Sequence, residues 1–339
     1  MTSRETAILA FLDNAGWADS EMAPLAGDAS ARRYLRLRGS KGAAVLMDAP
    51  PDQGEDTQPF ITMTRWLRAN ALSAPEILAD DPTMGFLLLE DLGDALYAQH
   101  LTKIPTAETD LYSMAVRLLV SLADLGPAPH LANYAGSELW REAALFTEWW
   151  LPAATADGSH WAKDDYRTLV EATFPPVAGA KEVTVLRDFH AENLLWLPER
   201  GGTAAVGLLD YQDALAGHAA YDLMSLLEDA RRDTSRELQE AMIRLYLSER
   251  PDLNQNTFRR DYAILAAQRN LKIMGIFARL ALRDGKPRYL DLIPRVWGHL
   301  QHDLAHPELA SLRAWITAYA PPPTPDVLSQ VAARVRSGP

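Results

Sequence analysis

Three polar residues define the chemistry open to this chain: Asp188, Asn193 and Asp210. They lie in Leu186-Arg187-Asp188-Phe189-His190-Ala191-Glu192-Asn193-Leu194-Leu195-Trp196 and in Val206-Gly207-Leu208-Leu209-Asp210-Tyr211-Gln212-Asp213. Each aspartate follows a short apolar run of strand character, and the asparagine stands five residues after the first aspartate. Phosphoryl transfer needs little covalent help from a protein. It needs a carboxylate to orient the attacking hydroxyl and accept its proton, and oxygen ligands to hold magnesium against the phosphates. Asp188 can serve as the base, while Asn193 offers a carbonyl oxygen and Asp210 a carboxylate to Mg2+. Taken singly, each is an ordinary turn or cap residue; the spacing and the flanking strands make them a set. The runs 183–186 and 206–209 bracket Gly201-Gly202, and the sequence predicts a hairpin whose loop end gathers all three.

The surrounding pattern shows what must position that set. Residues 6–17 read as a helix, 34–38 and 43–47 as strands, 60–72 as a helix with Phe60, Met63, Trp66 and Leu67 at helical spacing, and 86–89 as a buried strand. Pro50-Pro51 ends the second strand. Helical periodicity then covers 107–125 and 139–151, resumes at Asp222, and runs to about Ile316 before Pro321-Pro322-Pro323 and a final short helix. The expected class is α+β, with a sheet-rich N-lobe over 1–93 that covers a nucleotide and a mainly helical C-lobe over 94–339 that carries the catalytic and substrate-binding residues.

The bulk composition removes other classes. The formal net charge is -12 over 339 residues, which argues against a nucleic-acid partner. There is no cysteine, so thiolate chemistry, disulfides and cysteine metal sites are out. The first seventeen residues contain acidic positions and only short apolar runs, an amphipathic helix and not an export signal. No apolar run approaches the ~20 residues of a membrane span. A cytoplasmic monomer with no membrane partner is expected.

Arg187-Asp188 with Asn193 five residues after the aspartate, and then Asp210, resembles the catalytic loop and metal-binding aspartate of the protein-kinase-like fold. The stretches Leu209-Asp210-Tyr211-Gln212-Asp213 and Tyr221-Asp222-Leu223 resemble its aminoglycoside and choline phosphotransferase branch. Within that branch the chain is most similar to bacterial anomeric kinases of N-acetylmuramate and N-acetylglucosamine. Supporting stretches are Gly27-Asp28-Ala29-Ser30, Arg32-Arg33-Tyr34, Met47-Asp48-Ala49-Pro50-Pro51, Leu88-Leu89-Glu90-Asp91-Leu92-Gly93-Asp94, and Lys272 through Arg279. The resemblance spans nearly the whole chain. It implies a bilobal fold, ATP and Mg2+ as cofactors, and an amino sugar as substrate in peptidoglycan recycling. It places Gly27, Asp28 and Ser30 in the phosphate-covering loop and the backbone of Glu90 and Leu92 at the adenine edge.

Three departures stand out. Leu186 replaces the usual histidine, which predicts a packing change. Tyr211-Gln212 replaces the Phe-Gly of protein kinases, which argues against a switchable activation loop. The strand 43–48 has no lysine for the nucleotide phosphates, leaving Arg33, Arg36 or Lys41 to supply charge.

On the substrate side the candidates are Arg187, Asp213, Glu142 and Trp150, the last with Trp140 and Trp149 as aromatic faces or simply core. His190 reads either as a phosphate or substrate contact or as a loop hydrogen-bond partner, and Asp222 as a cap or a buried anchor of the catalytic loop. Arg269 and Lys272 stand three apart on an apolar helix, suited to a sugar carboxylate or to an internal salt bridge. Another small alcohol (an aminoglycoside, choline or homoserine), a protein substrate, or a pseudokinase without turnover remain the alternatives. A cationic substrate needs an acidic pocket, and magnesium-dependent ATP turnover excludes the pseudokinase.

Overall fold

Alternating apolar residues in the first ninety positions build one antiparallel sheet. The structure, a computed structural model, describes residues 3–25, 31–155 and 163–337. Strands β1 (Glu21–Pro24), β2 (Arg33–Gly39), β3 (Gly42–Asp48), β4 (Ile77–Asp81) and β5 (Phe86–Glu90) pair in the order β1-β2-β3-β5-β4. The β2–β3 register runs from Arg33↔Asp48 to Gly39↔Gly42. The period of two turns Leu37, Ala44, Leu46, Phe86 and Leu88 to one face. There they bury Ile8, Phe11 and Leu12 of the helix Ser3–Asn14, together with Trp17. Each such large side chain contributes about 1.5–3 kcal/mol on burial.

Contacts divide the chain into two compact units, Met1–Met114 with Glu192–Ala214, and Ala115–Ala191 with Leu215–Pro339. This differs from a single cut after residue 93. The helix Tyr97–Lys103 and the hairpin of β7 (Leu194–Trp196) and β8 (Val206–Leu208) belong with the sheet. The reason is local bonding: Leu96 bridges Leu195, the Trp196 N–H donates to the Ala95 carbonyl at 2.8 Å, and Leu208 N–H donates to the Ser73 carbonyl at 2.9 Å.

The second unit is helical around Gln255–Leu282, a 28-residue helix capped by Asn254, whose side chain accepts from Thr257 N–H. Residues 261–271 of this helix are buried without interruption, the mark of a helix enclosed by its neighbours. They include Gly136–Ala143, Ala220–Leu227 and Ile293–Asp303. The run 139–151, expected as one helix, is a helix to Ala143 followed by a π-turn at Phe146–Trp150. Gly275 explains how the long helix lies so close to that turn. A β-carbon there meets Leu145 Cβ at 2.6 Å and its backbone nearer still.

The expected pairing of 183–186 with 206–209 is corrected. Strand β6 (Val183–Val185) pairs with β9 (Leu215–Gly217), and β7 pairs with β8. Both predicted strands exist, but each has a partner that three-residue runs conceal. Among the described residues no helix is long and apolar enough to cross a membrane.

Candidate active site

Two turns carry the three chemical residues. The first leaves β6. Asp188 N–H donates to the Leu186 carbonyl at 2.9 Å, and Arg187 between them has φ +72°, a γ-turn in its strained form. A side chain held at positive φ costs about 1–3 kcal/mol, so something must hold it. Asp222, in the first turn of the helix Ala220–Leu227, accepts the N–H groups of Leu186 at 2.6 Å and Arg187 at 2.9 Å. The Ser225 hydroxyl donates to the Arg187 carbonyl at 3.3 Å. Burial pushes the Asp222 carboxyl up to about 7, against the pull of both amides. Of its two expected roles, Asp222 is the anchor of this loop. Leu186 packs as a buried side chain, and Asp188 is left exposed.

The second turn leaves β8. Asp210 has φ +56°, and Leu209 N–H donates to the Asn193 carbonyl at 3.0 Å. The Asn193 amide nitrogen lies 3.5 Å from one Asp210 oxygen, and Gln212 Nε2 donates to the other at 2.7 Å. Tyr211 is wholly buried, stacked on Phe60 at 5.2 Å and sharing a hydrogen bond of 2.7 Å with the Thr64 hydroxyl.

Among the described residues no group of three or more His, Cys, Asp or Glu is placed to hold a metal. Two side-chain oxygens suit Mg2+ better than a full cage, because this ion keeps water and takes phosphate oxygens. Asn193 must then present its oxygen, a half-turn of an amide whose two ends are nearly isosteric.

A polar cluster continues from the first turn. Arg187 donates to Glu142 at 2.5 Å, as do Lys272 Nζ at 2.9 Å, Gln268 Nε2 at 3.2 Å and the Tyr134 hydroxyl. Burial alone would raise the Glu142 carboxyl, but the Lys272 and Arg187 charges outweigh it and bring it down to about 2. Burial, with Tyr221 and Glu142 alongside, pushes the Tyr134 phenol far up, so it stays a donor. Arg187, Glu142 and Lys272 line a cavity of about 500 Å³ whose other walls include Trp140, Leu145 and Arg279. That volume suits a small molecule.

Residues 21–260 match the phosphotransferase enzyme family. The chain belongs to that family. The N-acetylmuramate/N-acetylglucosamine kinase of Caulobacter vibrioides is 39% identical to it, over 94% of this chain and 98% of that protein. The kinase of the same name from Pseudomonas aeruginosa is 34% identical, over 88% and 89%. The structure of choline kinase LicA from Streptococcus pneumoniae has the same fold, with a TM-score of 0.61 at 11% identity, covering 89% of this chain and 100% of that one. The α+β, protein-kinase-like class holds, with a sheet-rich N-terminal region and a helical C-terminal region.

In this phosphotransferase the remaining predicted residues fall in varied places. Gly27, Asp28 and Ser30 lie outside the described residues. Arg33 pairs with buried Asp48, which Arg4 also reaches at 2.6 Å; the Arg33 side chain stays 61% exposed. Arg36 is taken up by Asp91 at 2.8 Å and Asp94 at 2.7 Å, and Lys41 donates to the Ala15 carbonyl at 3.3 Å. Of the three cations weighed for the phosphates, Lys41 is the one that pairs with no carboxylate among the described residues, and it is exposed. The Glu90 N–H donates to the Glu76 carbonyl at 2.8 Å, and its side chain accepts from Arg200 at 2.5 Å. Leu92 is half-buried and Asp213 exposed.

His190 is buried. Desolvation, opposed by Asp229 and aided by Arg231, brings it down to about 4, so it is neutral at pH 7 and brings no charge to a phosphate. Trp150 is wholly buried and absent from the cavity wall, where Trp140 stands instead. The π-turn shifts the helical faces by about one residue, which moves the tryptophans from their expected positions. Arg269 and Lys272 part company as well. Lys272 lines the cavity, while Arg269 is buried near His190 and Asp222. Tyr134, Gln268 and Arg279 were missed. For Arg279 a signal existed: Lys272, Ile276 and Arg279 repeat at i, i+4, i+7, one helix face.

Proposed function

We propose that this protein transfers the γ-phosphoryl group of ATP to the anomeric hydroxyl of N-acetylmuramate, N-acetylglucosamine or both. It acts in the cytoplasm as a monomer, and its product is a sugar 1-phosphate in peptidoglycan recycling. The observation that carries this reading is the near full-length similarity, at 39% and 34% identity, to two kinases named for those sugars. The exposed carboxylate of Asp188 and the paired side chains of Asn193 and Asp210 support it.

Asp188 orients the sugar hydroxyl and takes its proton as the hydroxyl oxygen bonds to the γ-phosphorus. The bond from that phosphorus to the β-phosphate oxygen breaks, and ADP leaves. Magnesium, when bound at Asn193 and Asp210, offsets phosphate charge. Arg187, locked to Glu142 through its side chain and to Asp222 through its backbone, keeps Asp188 from drifting out of line. The Glu90–Leu92 segment receives the adenine.

Phosphorus-31 NMR tests the reading. The protein is incubated with Mg-ATP and, separately, N-acetylmuramate, N-acetylglucosamine, an aminoglycoside and choline. A new anomeric phosphate signal with an amino sugar is expected. A product with choline or the aminoglycoside alone would replace the substrate class while keeping the kinase.

A further inference from the structure

The cavity beside Arg187 carries more positive charge than its own carboxylates can use. Arg141, Arg187, Lys272 and Arg279 line it against Glu142 and Glu148, a surplus of two positive charges. Most of these charges are already engaged. Arg187 and Lys272 share Glu142, which the Tyr134 and Gln268 donors saturate further. Arg141 pairs with Glu138, one turn back on its own helix. Arg279 is different. Among the described residues its side chain makes no ion pair or hydrogen bond, and its Nε is buried without a partner. Arg279 is half-buried and lines the cavity, so its charge, uncompensated by a side-chain partner, is open to a ligand there.

The geometry points to an acid-recognition subsite: we propose that Arg279 binds the carboxylate of an acidic amino sugar, and so ranks N-acetylmuramate above its neutral counterpart. The proposal rests on the amino-sugar kinase reading and assigns its specificity. Lys272, Ile276 and Arg279 share one face of the long helix, so the free cation stands about two turns from the Glu142 cluster that holds the Asp188 loop. Trp140 and Ile276 supply apolar surface for the faces of a sugar ring. The planar fork of an arginine matches a carboxylate in two parallel hydrogen bonds. Lys272 is the poorer candidate, since it would have to leave Glu142.

The test compares steady-state kinetics of the full-length protein and Arg279→Gln with N-acetylmuramate and with N-acetylglucosamine. The variant is expected to lose about 10- to 100-fold in kcat/KM for the acid, mostly in KM, and less than about twofold for the neutral sugar. Arg279→Lys should recover part of the loss. Raised ionic strength should weaken the acid's KM in the wild type but not in Arg279→Gln. Equal losses for both sugars, or none for either, overturn the subsite while leaving the kinase reading intact. A wild-type protein that phosphorylates neither sugar overturns both.

Discussion

The turn at Asp188 and the turn at Asp210 solve the same problem by opposite means. Each ends a short buried strand on an aspartate, and each bends through a non-glycine residue at positive φ. The first is held by buried carboxyl groups: Asp222 accepts from two backbone amides, and the Glu142 charge gathers Arg187 and Lys272. The second is held by packing: Tyr211 is buried against Phe60 and tied to Thr64 by one neutral hydrogen bond. A loop held by buried carboxyl groups is exact in geometry but sensitive to pH and costly to break. A loop held by an aromatic ring responds to volume and hardly at all to protons.

The largest effect tests what the first turn presents. Asp188→Asn should cut kcat by about 10²- to 10⁴-fold while nucleotide binding, followed by calorimetry, stays within about twofold. Turnover near that of the wild type would remove Asp188 from the base role.

Next comes the anchor. Asp222→Ala leaves two buried amides without an acceptor and should destabilise by about 2–5 kcal/mol in urea unfolding. The pH dependence has a definite sign. The folded carboxyl sits at about 7, above its ordinary 3.8, so its contribution is whole below about 3.8 and is lost as pH rises through 7. Asp222→Asn should flatten that limb of the stability profile. An unchanged slope between pH 4 and 7 would show that the buried carboxylate is already ionised.

Glu142 works in the other direction. Its carboxyl is held at about 2 against an ordinary 4.5. Its contribution, at most roughly 3 kcal/mol, is whole above 4.5 and is lost as pH falls through 2. Acid unfolding of Glu142→Gln should lack that loss, and a profile parallel to the wild type would argue against the cluster.

The smallest effect belongs to the second turn. Tyr211→Phe keeps the stack and gives up the Thr64 bond, which should cost about 1 kcal/mol equally at pH 5 and pH 8. A pH-dependent cost would blur the contrast between the two turns.

Much of this site could be read along the chain. Asp188 and Asn193 lie close in sequence, and Asp210 follows an apolar strand, so spacing alone groups them as a candidate set. Strand partners could not be read, because three-residue runs such as Val183–Val185 and Val206–Leu208 carry no register of their own. Trp150 was misplaced for a related reason. Periodicity extrapolates a regular helix, and a π-turn interrupts it next to Leu145, which lies close against Gly275. Arg269 and Lys272 showed a shared face but not where that face points.

The sequence by itself determined the reaction class and the α+β order of elements, and it singled out Asp188, Asn193 and Asp210 as the candidate site, because these readings depend on residue type and near spacing. Only the tertiary structure decided which charges are spent and which are spare. Glu142 meets Arg187 and Lys272 from 45 and 130 residues away, while the side chain of Arg279, on the same face as Lys272, ion-pairs with no carboxylate among the described residues. Coulomb attraction and desolvation act through space, and a one-dimensional pattern holds no record of the distances on which they depend.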